Sequence, residues 1–273
     1  MQRKALLGLG LGLFSMIAGC GANTAPLSYE QFRANVYQEP DTGVFVVNGD
    51  EIIETEQGLR EFYDRYVAEQ ALLARTDGVA AKQENLIVNL VSGRDDKWSA
   101  TQAQNLTYCI SSSSFGSRYS AVVSAMNTAT SAWEGTANVN FVYASAQDAN
   151  CTKSNSSVVF NVRQVNSGQY LARSFFPSTS RSGREVLIDA SSFGNISPYT
   201  LAGVLRHELG HTIGFRHEHT RPEAGTCFED NSWRALTSYD SSSVMHYPQC
   251  NGTNKGDLTL TNLDKSGARS LYP

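Results

Sequence analysis

The eleven residues His207-Glu-Leu-Gly-His-Thr-Ile-Gly-Phe-Arg-His217 constrain this chain more than any other feature. All five of its histidines fall between positions 207 and 246. Leu201, Leu205, Leu209 and Ile213 recur at helical spacing and form one apolar stripe, which leaves His207 and His211 one turn apart on the opposite face. Ser197 as N-cap and Pro198 as first helical residue are expected to start this helix, and Gly214 to end it in a left-handed conformation. Two imidazoles on one helical turn and a third three residues beyond a glycine reversal are what zinc requires: neutral nitrogen ligands at short range, with a fourth position open. His207, His211 and His217 are therefore the expected ligands of a Zn2+ ion. Glu208, beside the first ligand, is the expected general base on a metal-bound water, which the metal makes acidic near neutral pH. The Gly at the turn makes this eleven-residue pattern far more specific than a bare HExxH.

The rest of the chain supplies a scaffold. Of its 273 residues, 41% are hydrophobic, enough for a core, and a net charge of -4 shows no basic excess, so no nucleic-acid partner is expected. Val44 to Ile53 alternates around Asn48-Gly49, a two-residue hairpin signal. Residues 57–75 and Gln83 to Val91 read as amphipathic helical pieces, and Gly93 to Ala100 as a polar linker. Leu106 to Ile110, Val139 to Tyr143, Ser157 to Val162 and Glu185 to Asp189 read as strands. Val122, Met126, Ala129 and Trp133 line one face of a helix between the first two. Strand, helix, then further strands predict an α/β or α+β layer. The expected divisions are a leader over 1–20, an N-terminal tether and candidate pro-domain over 21–100, and a catalytic domain over 101–273.

Arg3 and Lys4 precede an apolar run from Ala5 to Ala18 that is short for a membrane span. It closes on Ile-Ala-Gly-Cys20, similar to a bacterial lipobox in which the cysteine is lipidated. The chain is thus expected to be exported as a cell-envelope lipoprotein of the outer membrane or cell surface, held to the membrane through Cys20, or to be secreted. The remaining Cys109, Cys151, Cys227 and Cys250 form an even set in an exported chain, which points to disulfides. Three pairings are open; local loop closure favours 109–151 with 227–250.

The long motif, with Ser243-Val-Met-His-Tyr247, resembles the metzincin metallopeptidases: among them the astacins, and more closely the bacterial M57 family. The likeness runs in outline over about 105–273 and is specific over 197–248. It implies a metzincin-like catalytic domain with a twisted mixed sheet, an active-site helix and a small N-terminal domain, acting as a metalloendopeptidase on peptide or protein substrates. It implies that Met245 is an apolar cushion under the metal, and that Tyr247 ligates zinc at rest and hydrogen-bonds the transition state. Gly168 to Pro177 resembles the edge strand that lines the cleft, with Leu171 and Ala172 carrying substrate backbone contacts. Glu218 matches a residue that reaches the mature N-terminus; a solvated or locally paired turn equally accounts for Glu218, His219 and Arg221.

Val47-Asn-Gly-Asp50 departs at one position from the Phe-x-Gly-Asp of astacin pro-segments, whose aspartate occupies the metal. A hairpin turn alone accounts for the same residues and is the preferred reading, although a hairpin tip can also present Asp50. The rival from another class is a catalytically inactive, lipid-anchored, zinc-containing binding protein of the same fold. Retention of Glu208 argues against it.

Overall fold

The computed structural model describes residues 27–73, 86–254 and 256–273. Cys20 and the leader, and the 83–85 part of the piece expected over Gln83 to Val91, lie outside them. Among the described residues no helix is long and apolar enough to cross a membrane.

The N-terminal unit comprises α1 (Tyr29–Asn35), β1 (Tyr37–Gln38), β2 (Phe45–Val47), β3 (Glu51–Ile53) and α2 (Glu56–Leu73). Its three strands pair antiparallel in the order β1-β2-β3. The hairpin expected around Asn48-Gly49 is present, with Asn48 at φ 55° and Gly49 at φ 99°. Val47 faces Glu51, so the connection has three residues, not two, and Asp50 stands at its tip. Phe45, Val47, Leu59 and Phe62 form this unit's own small core.

The larger body begins with β4 (Ile87–Val91) and β5 (Arg94–Asp95). The chain from 87 to 98 is a strand pair and its extension, where a helical piece and a linker were expected. β4 pairs with β11 (Trp233–Ala235), Asp96 and Trp98 are buried, and Trp98 Nε1 donates to Thr212 O at 2.7 Å. Four to five apolar residues do not separate a strand from a helix turn by periodicity, and the pairing partner lies some 145 residues away.

Next come α3 (Ala100–Ala103), β6 (Leu106–Ile110), α4 (Ser112–Phe115), α5 (Tyr119–Glu134), β7 (Phe141–Tyr143), β8 (Phe160–Val165), β9 (Ala172–Arg173) and β10 (Glu185–Asp189). They build a five-stranded sheet in the order β7-β6-β8-β10-β9. The first four strands are parallel and β9 is an antiparallel edge. A parallel sheet must be covered on both faces, and the burial of every residue of β10 and of all but Thr107 in β6 reflects that. α5 buries Val122, Met126, Ala129 and Trp133, the stripe the sequence predicts. Trp133 stacks on Phe215 with centroids 5.4 Å apart and donates Nε1 to Arg206 O at 2.9 Å. Helices α6 (Leu201–Thr212) and α7 (Asn262–Leu271) complete the body. Each fully buried aliphatic side chain in this core contributes about 1.5–3 kcal/mol. Cys109–Cys151 and Cys227–Cys250 are bonded, the locally closing pairing.

Candidate metal centre

α6 starts three residues later than Ser197-Pro198 suggest. Thr200 caps it, its Oγ1 accepting from Gly203 N at 3.0 Å. A threonine with a free N–H in range competes equally for the cap. Leu205, Leu209 and Ile213 pack into the core, while His207 and His211 line the other face. Gly214 then reverses the chain at φ 100°, and a Cβ there would lie 2.2 Å from Asp96 O, so only glycine fits. Asn89 N and Arg216 N bond Gly214 O and Ile87 O at 2.8 and 3.0 Å, so β4 holds this turn and brings His217 back over the helix.

The three imidazoles are oriented by their outer nitrogens. Nδ1 of His207 faces Val244 O at 2.7 Å, Nδ1 of His211 faces Phe215 O at 2.8 Å, and Nδ1 of His217 faces Glu229 Oε1 at 2.6 Å. Each of these partners is an acceptor, so each Nδ1 carries the hydrogen and each Nε2 presents a lone pair. The Nε2 atoms converge: His207 lies 3.2 Å from His217 and 3.3 Å from His211. The fourth member is Asp50, whose carboxylate oxygens stand 3.1 Å from His207 and His217 and 3.5 Å from His211.

Lone pairs and a carboxylate facing one another without donors between them repel unless a cation lies among them. A tetrahedral zinc with ligand bonds of about 2.0–2.2 Å has ligands about 3.3–3.5 Å apart. The donor set and its spacing therefore fit zinc, with Asp50 in the position that a water takes in an open site.

The surroundings are dry. Burial raises the Glu208 carboxyl well above its ordinary pKa, and the neighbouring Asp50 charge raises it further. Glu208 Oε2 has no hydrogen-bond partner among the described residues. Tyr247 donates its hydroxyl to Asp50 Oδ2 at 2.6 Å. Its ring packs on His217, His219 and His207 with centroids 4.5, 4.7 and 5.4 Å apart. Met245 is fully buried beneath α6; a Cβ on Gly210 would lie 2.4 Å from its Sδ.

The edge strand differs in detail from the expectation. Leu171 turns its carbonyl into the sheet, to Asp189 N and Ser192 Oγ at 2.8 and 2.6 Å. Alternate residues of a strand offer their backbone to opposite neighbours, so Ala172 and Ser174 face outward and Leu171 does not. Ser174 N donates to Asp50 O at 3.1 Å. Glu218, His219 and Arg221 are buried, not solvated. Glu218 pairs locally with Arg221 at 3.5 Å, and His219 Nδ1 accepts from Tyr247 N at 3.2 Å.

Sequence reasoning missed Glu229 and Arg216. Glu229 binds His217 and, through Oε2, Arg216 at 2.9 Å. Its loop has no periodicity to flag it; the only local signal is Cys227, whose disulfide ties that loop to the residues just after Tyr247.

Residues 97–224 match the Matrixin family, peptidase M10, a stretch that holds His207, Glu208, His211 and His217. That stretch is just under half of the chain, whose fold is α+β with a mixed five-stranded sheet. Protein SpAN of Strongylocentrotus purpuratus is 32% identical over 81 residues, 23% of this chain and 13% of that protein. Blastula protease 10 of Paracentrotus lividus is 33% identical over 92 residues, 27% of this chain and 15% of that protein. The chain thus spans a small part of the curated relatives it matches. Among solved structures, myroilysin is similar with a TM-score of 0.48 and 18% identity, over 68% of this chain and 98% of that one. High choriolytic enzyme 1, a hatching enzyme zinc-protease from Oryzias latipes, gives 0.39 and 19%, over 63% and 92%.

Proposed function

We propose that this chain hydrolyses peptide bonds with a zinc ion held by His207, His211 and His217, whose Nε2 atoms converge. The convergence of those three nitrogens, each locked by an acceptor on its far side, carries the reading. Bound zinc supplies Lewis acidity, making water a nucleophile near neutral pH and polarising the scissile carbonyl. Glu208 takes the proton from the attacking water and delivers it to the leaving amine. Tyr247 donates a hydrogen bond to the oxygen that gains charge, the role its hydroxyl now plays toward Asp50. Ala172 and Ser174 hold the substrate backbone along the edge strand. Met245 packs under the ligand helix, and Gly214 allows the turn that returns His217.

The N-terminal unit is the inhibitory element of this reading. Asp50 would take the fourth ligand position of a bound zinc, and Gly49 leaves only 3.0 Å between its missing Cβ and the Tyr247 hydroxyl, so the hairpin tip fits the site closely. The division between inhibitor and enzyme falls before Leu86, because β4 and Trp98 support the ligand turn. Two disulfides fit an oxidising compartment, in keeping with export and an anchor at Cys20.

Two measurements test the site. Metal analysis is expected to find one zinc per chain, and Glu229→Gln to weaken zinc binding by about 10–100-fold in a chelator competition; unchanged affinity would show that the Glu229 bond does not support His217 as a ligand. Tyr247→Phe is expected to lower kcat with zinc content and KM nearly constant, since a lost transition-state bond costs rate and not substrate binding. Kinetics identical to the parent would leave Tyr247 a packing residue.

A further inference from the structure

Beside the metal centre lies a second charged site that the hydrolytic reading does not use. Arg173, on the edge strand, is fully buried. Its Nε and Nη2 grip the Glu39 carboxylate at 2.9 and 2.7 Å, a bidentate pair. Tyr170 donates its hydroxyl to the same Glu39 oxygen at 2.6 Å. Glu39 belongs to the N-terminal unit, whereas Arg173 and Tyr170 belong to the body.

Within the body Arg173 keeps only Glu185, whose carbonyl accepts Nη1 at 2.9 Å and whose carboxylate lies 3.9 Å from Nη2. Arg163 and Asn161 share that carboxylate, through Oε1 at 2.8 and 2.7 Å and, for Arg163, also through Oε2 at 3.3 Å. Departure of the N-terminal unit therefore removes the carboxylate that Arg173 holds with two nitrogens and that Tyr170 also bonds, and leaves the longer contact to Glu185. The next residue, Ser174, offers its N–H to the Asp50 carbonyl, so the fork sits one residue from the strand position that faces the metal centre. The Arg173 charge also reaches Glu208, whose carboxyl it draws down against the stronger effect of burial.

The geometry points to a carboxylate-binding subsite, formed by Arg173 and Tyr170 and filled here by Glu39, that selects substrate peptides with an acidic side chain at one position. This rests on the peptidase reading and on the N-terminal unit being displaced from the cleft. Arg173 is a specificity determinant here, and Glu39 is the built-in occupant that a substrate glutamate or aspartate replaces.

The test uses the full chain with Asp50→Ala and Glu39→Ala, so that both contacts are released. Peptides that differ only by Glu or Gln, scanned through each position, are compared by kcat/KM. One position is expected to favour Glu by about tenfold to a hundredfold, the worth of bonds to a charged group. Adding Arg173→Gln is expected to bring that ratio to about one, and Tyr170→Phe to reduce it several-fold; the second variant preserves the test where the first fails to fold. In the Asp50→Ala chain that keeps Glu39, the preference is expected to shrink because the subsite is filled. Cleavage of neutral peptides with no acidic preference at any position, or a preference that survives both substitutions, overturns the subsite alone. No zinc-dependent cleavage of any peptide overturns the peptidase reading and the subsite with it.

Discussion

Glu208→Gln is expected to retain zinc and lose hydrolysis by about 10²–10⁴-fold or more, the usual worth of a positioned general base. The amide keeps the shape of the carboxylate but cannot accept a proton from water. Glu208 is buried and, among the described residues, its Oε2 is unbonded, so the substitution breaks no hydrogen bond to that oxygen and the fold should persist. Zinc content and a peptide hydrolysis rate on the same preparation are the measurements. Full activity with zinc bound would sink the mechanism, whereas lost zinc would show that the substitution had disturbed the ligands instead.

Asp50→Ala is expected to raise the activity of the full chain by about 10²-fold or more, the second large effect. The carboxylate lies 3.1 Å from two ligand nitrogens and receives the Tyr247 hydroxyl, so it competes with water for the fourth position and removes the phenol from the reaction. Alanine relieves both at once. It also weakens the docking, which then rests on Glu39 with Arg173, Arg65 with Asp230 at 3.0 Å and Glu54 with Ser180 N at 3.0 Å, so the hairpin leaves the edge strand to substrate more often. Glycine at 49 and the hairpin register do not depend on the aspartate side chain. Activity of full-length wild type equal to that of the variant, with the chain shown intact before the assay, would rule out the inhibitory role.

The two predictions stand on different kinds of information. The ligands, the base and the reversal at Gly214 are local: helical spacing puts His207 and His211 on one face, and a glycine is needed where the Asp96 carbonyl crowds the turn. Such constraints are written within eleven residues, and so are the Leu106–Ile110 and Glu185–Asp189 strands, whose apolar residues suit a sheet covered on both faces. Chain order and loop size favoured the two disulfides among three pairings.

What only the tertiary structure decided are contacts between residues far apart in the chain. Asn-Gly-Asp serves a hairpin turn whether or not it meets a metal; that Asp50 reaches His207, 157 residues away, follows from docking of the N-terminal unit. The pairing of β4 with β11 and the contact of Trp98 with Thr212 turn an apparent linker into a support of the metal helix. Glu229 lies in a loop without periodicity, and nothing in its neighbours predicts the bond to His217. Glu39 and Arg173 lie 134 residues apart, and no local pattern links them. A buried ion pair exists only where both partners lose water together, and that is a property of the packed chain.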